Sequence, residues 1–122
     1  MENLYIAATK FTPEVSFEPG LLTLTGRSIP ENSVGFYQDL YAWVENYYDE
    51  PSDETEVIVQ LDYFNTSSAK CILDFLRMFT PIHDSGRTVV VRWHYDDDDD
   101  DMLESGEDYQ ELVGFDFDFI SE

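Results

Sequence analysis

Four small polar residues, Asn65-Thr66-Ser67-Ser68, stand between a β-branched apolar run and a long apolar segment of helical spacing. One amide and three hydroxyls are more than a helix cap needs. Asn65 or Thr66 alone would suffice, because either side-chain oxygen can accept a hydrogen bond from a free N–H of the first turn. The surplus hydroxyls are groups a protein kinase can phosphorylate. A phosphate at this junction would meet free N–H groups and the positive end of a helix dipole. It would bring roughly −1.5 to −2 charges at pH 7. Capping remains the alternative role for each of these residues.

The remaining reactive side chains make no comparable constellation. Asp96 to Asp101 form an unbroken acidic run, followed by Glu104, Glu107, Asp108 and Glu111. Carboxylates are ligands for Ca²⁺ or Mg²⁺, but the spaced ligands and glycine of an EF-hand loop are missing. The default is a solvated acidic loop that attracts a basic protein surface. His83 and His94 are the only histidines, and neither sits with cysteine at zinc-ligand spacing. The single cysteine, Cys71, lies in the apolar helical pattern, which makes it a buried thiol rather than a nucleophile or a disulfide partner. No glycine-rich phosphate loop is present. The sequence therefore predicts a binding protein without cofactor or metal, not an enzyme.

Composition narrows the class. The 122 residues amount to one domain, expected to span 1–122, and 43% hydrophobic and 16% aromatic residues suffice for a core. The net charge is −21, and all six basic residues lie at or before Arg92. That balance argues against a nucleic-acid partner, whose phosphates need Lys and Arg, and against docking on anionic membranes. No apolar run is long enough for a membrane span, and the first residues show no signal peptide, so a cytoplasmic location and no membrane insertion are expected.

These residues have to be positioned by secondary structure. Val15 and Phe17 alternate with polar neighbours, Pro19-Gly20 signals a turn, and Leu22 and Leu24 alternate with threonines, which predicts a hairpin. A short stretch, Leu4 to Ala7, precedes it. A helix is expected from Asn32 or Ser33, with Phe36, Leu40, Val44 and Tyr47 on its apolar face, ending before Pro51. Val57 to Leu61 reads as an interior strand, followed by a helix from about Thr66 whose apolar positions run to Ile82. After a turn at Asp84-Ser85-Gly86 come a strand over Thr88–Trp93, a helix over Met102–Leu112, and a last strand alternating Phe115, Phe117 and Phe119 with aspartates. The fold class is α/β (α+β mixed): a single-domain mixed sheet with an N-terminal hairpin, covered by about three helices. The crossover from Val57 to Trp93 should be right-handed and parallel.

The helix after Asn65 has only a narrow polar stripe, Lys70, Asp74 and Arg77. A surface helix normally carries a wider one. Either its neighbours cover it, or part of its apolar surface is a docking face beside the hydroxyls.

Several of these segments together resemble the SiaC family of bacterial regulatory phosphoproteins: Val57–Leu61 with Asn65-Thr66-Ser67-Ser68, the Gly86–Trp93 strand, Pro30-Glu31-Asn32-Ser33, Arg92-Trp93-His94-Tyr95-Asp96, and Thr12-Pro13. The resemblance covers nearly the whole chain; the long aspartate run departs from it. It implies a STAS-like layout similar to anti-sigma-factor antagonists, with a phosphorylated hydroxyl at the start of a helix. By that resemblance the modified residue is Thr66, with Ser67 and Ser68 as lesser candidates. The switch and partner-binding set is then Asn65, Thr66, Ser67, Ser68, Lys70 and Cys71. The implied partners are a protein kinase, a PP2C-type phosphatase and an effector, a diguanylate cyclase that the unphosphorylated form binds and activates in cyclic-di-GMP signalling and biofilm formation. Two readings compete with it: a constitutive acidic binding module that mimics nucleic acid, and a metal-dependent enzyme built on Asp96–Asp101.

Overall fold

The computed structural model describes every residue from Met1 to Glu122. Period-two alternation becomes strands wherever one sheet face is covered and the other is not. In chain order the elements are β1 (Leu4–Ile6), β2 (Glu14–Glu18), β3 (Leu21–Ser28), α1 (Ser33–Tyr47), β4 (Glu54–Phe64), α2 (Thr66–Arg77), α3 (Thr80–Asp84), β5 (Thr88–Tyr95), α4 (Asp100–Val113) and β6 (Phe117–Ser121). The six strands form one sheet whose spatial order is their order in the chain. β1, β2 and β3 pair antiparallel; β3, β4, β5 and β6 pair parallel.

Crossovers of one hand that always step the same way across a sheet leave every helix on the same face. Burial agrees. Val15, Phe17, Leu22, Leu24, Val57, Val59, Val91 and Trp93 point under the helices and are essentially inaccessible. α2 lies between α1 and α4, and the buried side chains of sheet and helices join in a single cluster, so there is one core and one domain. The opposite face is open and polar. There Arg92 bridges three strands, its Nε donating to Glu56 Oε1 at 2.6 Å and its Nη1 to Asp118. This separates two carboxylates that would otherwise repel across the sheet.

The structure changes several expected boundaries. The apolar segment Ala69–Ile82 is two helices, not one. Pro81 has no N–H to donate to Arg77 O, so the hydrogen-bond ladder of α2 stops at Arg77 and the short α3 starts at Thr80, with the backbone still helical through Met78 and Phe79. The acidic run is not wholly a loop: Asp99 caps α4, and Asp100 and Asp101 form its first turn. β4 reaches 11 residues because Glu54 and Glu56 lie on the open side, where they are tolerated, while the buried Thr55 hydroxyl is satisfied by the Tyr47 hydroxyl at 2.8 Å. It is interior in the sheet order yet covered on one face only. His94 lies within β5, and β6 starts at Phe117 because the left-handed Gly114 (φ 94°) first ends α4.

Candidate functional site

β4 delivers the Asn65–Ser68 segment through a local irregularity. Leu61 pairs with Gly26, but the next pair is Tyr63 with Arg27, which leaves Asp62 as an extra residue. Gly26 takes the positive φ of 110° that the kink requires. One inserted residue reverses which side chains face the helices. Leu61 and Phe64 both face inward, Phe64 against Trp93 and Tyr109, while Tyr63 turns outward and is exposed. The strand then ends with Asn65 N–H on Ser28 O at 3.0 Å, so Asn65 is tied to β3 at the moment the chain turns into α2.

Asn65 is the N-cap. Its backbone is extended, and its Oδ1 accepts from Ser68 N–H at 2.9 Å and from the Ser67 hydroxyl at 3.1 Å. Thr66 is the first helical residue. It is exposed, and its hydroxyl makes no hydrogen bond within the fold, nor do the N–H groups of Thr66 and Ser67. The first turn carries no acidic residue, so the positive end of the α2 dipole is unneutralised.

Ser67 and Ser68 lead inward. Ser68 is fully buried, with its Oγ 2.9 Å from Ser28 Oγ and 3.4 Å from Ser33 Oγ. Ser28 Oγ lies 2.8 Å from the Tyr37 hydroxyl, and Ser33 Oγ 2.7 Å from Ser67 Oγ. Each hydroxyl has one proton, which fixes the direction of donation. Ser28 donates to Ser68, so Tyr37 donates to Ser28; Ser67 donates to Asn65, so Ser33 donates to Ser67; only Ser68 can then donate to Ser33. The chain runs Tyr37, Ser28, Ser68, Ser33, Ser67, Asn65, from a buried phenol to a helix cap. Burial holds the Tyr37 phenol well above its ordinary range, so the terminal donor keeps its proton. No buried side-chain polar atom is left without a partner.

Tyrosines clamp α2 from both sides. Tyr41 of α1 donates to Cys71 O at 2.9 Å, and Tyr109 of α4 donates to Ala69 O at 2.7 Å. Burial raises both phenols, that of Tyr109 to about 12 with a further push from Asp108.

Of the predicted site residues, Asn65, Thr66, Ser67 and Ser68 come together as one structure. Lys70 is exposed on the next turn, paired with Asp74 at 3.2 Å. Cys71 does not belong to that surface: it is 6% exposed and faces the core, so a partner resting on α2 does not reach its thiol. The apolar side of α2 is likewise absorbed by the core, with Cys71, Ile72, Phe75 and Leu76 buried, which leaves a polar outer stripe rather than an apolar docking face. Sequence reasoning missed Ser28, Ser33 and Tyr37 as partners of the site. Ser33 stood in a quoted motif, Pro30-Glu31-Asn32-Ser33, whose Asn32 caps α1 by accepting from Gly35 N–H at 3.0 Å. The aspartate run places no group of three or more carboxylate, histidine or cysteine side chains where they could hold a metal ion.

Comparison with known proteins gives one answer. The model of the SiaC family of regulatory phosphoproteins matches residues 6–122. An uncharacterized protein of Pseudomonas aeruginosa strain UCBPP-PA14 is 34% identical over 119 residues, 96% of this chain and 94% of that protein. The structure of SiaC of Pseudomonas aeruginosa superposes with a TM-score of 0.90 at 33% identity, covering 100% of both chains. A second match, TM-score 0.89 and 33% identity over 98% of this chain and 99% of the other, comes from the crystal structure of the diguanylate cyclase SiaD in complex with its activator SiaC from the same organism. In sequence over almost its whole length, and in fold over all of it, the chain belongs to the SiaC family of regulatory phosphoproteins.

Proposed function

We propose that this chain is a phosphorylation-switched regulator whose unmodified form binds and activates a diguanylate cyclase, and that phosphorylation of Thr66 ends that contact. The observation that carries the reading is the state of Thr66: an exposed, unbonded hydroxyl on the first residue of a capped helix whose first turn has no acid. The relative seen as the activator in complex with SiaD supports the choice of effector. A protein kinase adds the phosphate and a PP2C-type phosphatase removes it; the chain itself catalyses nothing and works in the cytoplasm.

The mechanism follows from desolvation. A neutral hydroxyl can enter a protein contact if it finds a hydrogen bond, whereas a phosphate dianion must be paired or remain in water. On the free chain the dianion is tolerated, because solvent, the N–H groups of Thr66 and Ser67 and the helix dipole all face it. The fold survives and the effector contact does not.

The test has two stages. Intact-mass and peptide mass spectrometry on protein from its native cell should find a single phosphate, mapped to Thr66. Purified unmodified chain should then raise cyclic-di-GMP synthesis by the cyclase, and the stoichiometrically phosphorylated chain should not. Equal activation by both forms would sink the switch.

A second reading, a constitutive binder of basic proteins, draws on the exposed carboxylates of Asp96–Asp98 just before α4 and of Asp100, Asp101, Glu104, Glu107, Asp108 and Glu111 on it. Partner binding that collapses with added salt and ignores the state of Thr66 would favour it.

A further inference from the structure

Thr66 and Ser67 are neighbours, both hydroxylated and both exposed, so accessibility alone does not choose between them as phosphate acceptors. Their hydrogen bonds do. We infer that the buried hydroxyl chain entering through Ser33 sets the acceptor: it locks Ser67 and Ser68 and leaves Thr66 as the one reactive hydroxyl of the three. This rests on the phosphoswitch reading and deepens it.

Phosphoryl transfer makes two demands on the acceptor. An oxygen lone pair must form the new O–P bond as the bond from the γ-phosphorus to the bridging oxygen of a nucleoside triphosphate breaks. The hydroxyl proton must pass to a base on the kinase, and the nucleoside diphosphate departs with the released electron pair. Ser67 Oγ is handicapped on both counts while the chain is intact, because its only proton and one of its two lone pairs are already committed. Its proton is held by Asn65 Oδ1 at 3.1 Å, and Ser33, 2.7 Å away, donates into its lone pair. Turning the Ser67 side chain outward would break both bonds and remove the acceptor of Ser33. Ser33 is itself buried and held between Ser67 and Ser68. Ser68 is excluded more completely, being fully buried and bonded to Ser28. Thr66 Oγ1 carries no such commitment. Ser33 is thus a specificity-determining residue that never meets the kinase, 34 positions away in the chain from the hydroxyl it restrains.

The experiment reads phosphate position by peptide mass spectrometry on chain recovered from its native cell with dephosphorylation blocked, comparing wild type with Thr66→Ala, Ser33→Ala/Thr66→Ala and Ser33→Thr/Thr66→Ala. Wild type should carry phosphate on Thr66, and Thr66→Ala should carry no more than a trace on Ser67. Ser33→Ala/Thr66→Ala should gain phosphate on Ser67 in at least a tenfold larger fraction of molecules than Thr66→Ala. Ser33→Thr, which restores a hydroxyl, should suppress that gain. Thermal melting checks that each variant folds; if Ser33→Ala does not, Asn65→Gly in the Thr66→Ala background releases the Ser67 proton instead and should give the same gain. Phosphate on Ser67 in the Thr66→Ala chain at the wild-type level overturns the inference, as does a folded double variant with no Ser67 phosphate, which would place the selectivity in the kinase. A wild-type chain without phosphate on any of the three hydroxyls removes the switch itself and this inference with it.

Discussion

α2 and α4 both start at the carboxyl edge of the parallel strands, and both begin with the same cap. Asn65 Oδ1 accepts from Ser68 N–H at 2.9 Å, and Asp99 Oδ1 accepts from Met102 N–H at 3.0 Å. Their electrostatics are opposite. The α4 head already holds a capping carboxylate and two more, on Asp100 and Asp101, whereas the first turn of α2 has none. The same capping bond therefore heads one helix end that can receive a dianion and one that would repel it. The heads differ inward as well: behind α2 runs a buried chain of hydroxyls, and behind α4 stands an indole.

The largest effect should come from removing that indole. Trp93 donates from Nε1 to Met102 O at 2.9 Å, and a Cβ built on Gly106 would come within 2.5 Å of its ring. Trp93→Ala should cost ~3–5 kcal/mol, read from the urea midpoint. A loss under ~1 kcal/mol would mean that α4 is not anchored there.

Alkali tests the clamp joining the two helices. The Tyr109 phenol stands at about 12 in the folded chain, against an unfolded value near 10. A folded value raised in this way gives stability that is complete below pH ~10 and is lost as pH rises toward 12. The loss should be on the order of 2 kcal/mol, and Tyr109→Phe should flatten that part of the stability–pH curve.

Behind the α2 head, Ser28→Ala strands the Tyr37 donor and removes a donor to Ser68, at ~1–3 kcal/mol. Calorimetry that finds Ser28→Ala neutral would dissolve the hydroxyl chain. The two caps should then prove equal: Asn65→Ala and Asp99→Ala should each cost ~1 kcal/mol. Smallest is the charge response that separates the heads. Thr66→Asp should stabilise the free chain by ~0.3–1 kcal/mol at low salt and lose that gain at high salt. Asp101→Asn, which thins a crowd of like charges, should cost less than Thr66→Asp gains; a larger cost would show that the aspartates are not repelling one another.

Much of the architecture was legible because the sheet has one open face. Val15, Phe17, Leu22 and Leu24 alternate with polar neighbours only because solvent lies on the other side, and that rhythm placed the hairpin and strands correctly. The split between α2 and α3 was not legible from spacing. Both helices are covered by the core, so apolar residues continue across the break, and Pro81 was the one local signal. Within six aspartates no pattern distinguishes the cap from its neighbours. Tertiary structure chooses Asp99, through the closing of β5 on β6 where Glu122 N–H meets Tyr95 O at 2.9 Å. At the site, Asn65 to Ser68 were legible as a cluster, since all four lie in one stretch. Ser28 lies 40 residues from Ser68, and a single sequence carries no trace of that contact. The extra residue at Asp62 was equally silent, for the strand reads as apolar alternation until the register slips.

Strand order equal to chain order has a consequence for synthesis. Nothing paired early waits for a distant segment: β3 finds its place on β2 across a two-residue turn, and each later strand joins the free edge after a connection of one helix or, between β4 and β5, two. Loop closure stays local throughout, which favours rapid folding from the amino terminus as the polypeptide leaves the ribosome. Arrested nascent chains should accordingly show proteolytic protection that advances strand by strand. The serine pocket, completed when α2 returns against β3, would then be in place before β5 and β6 have been made.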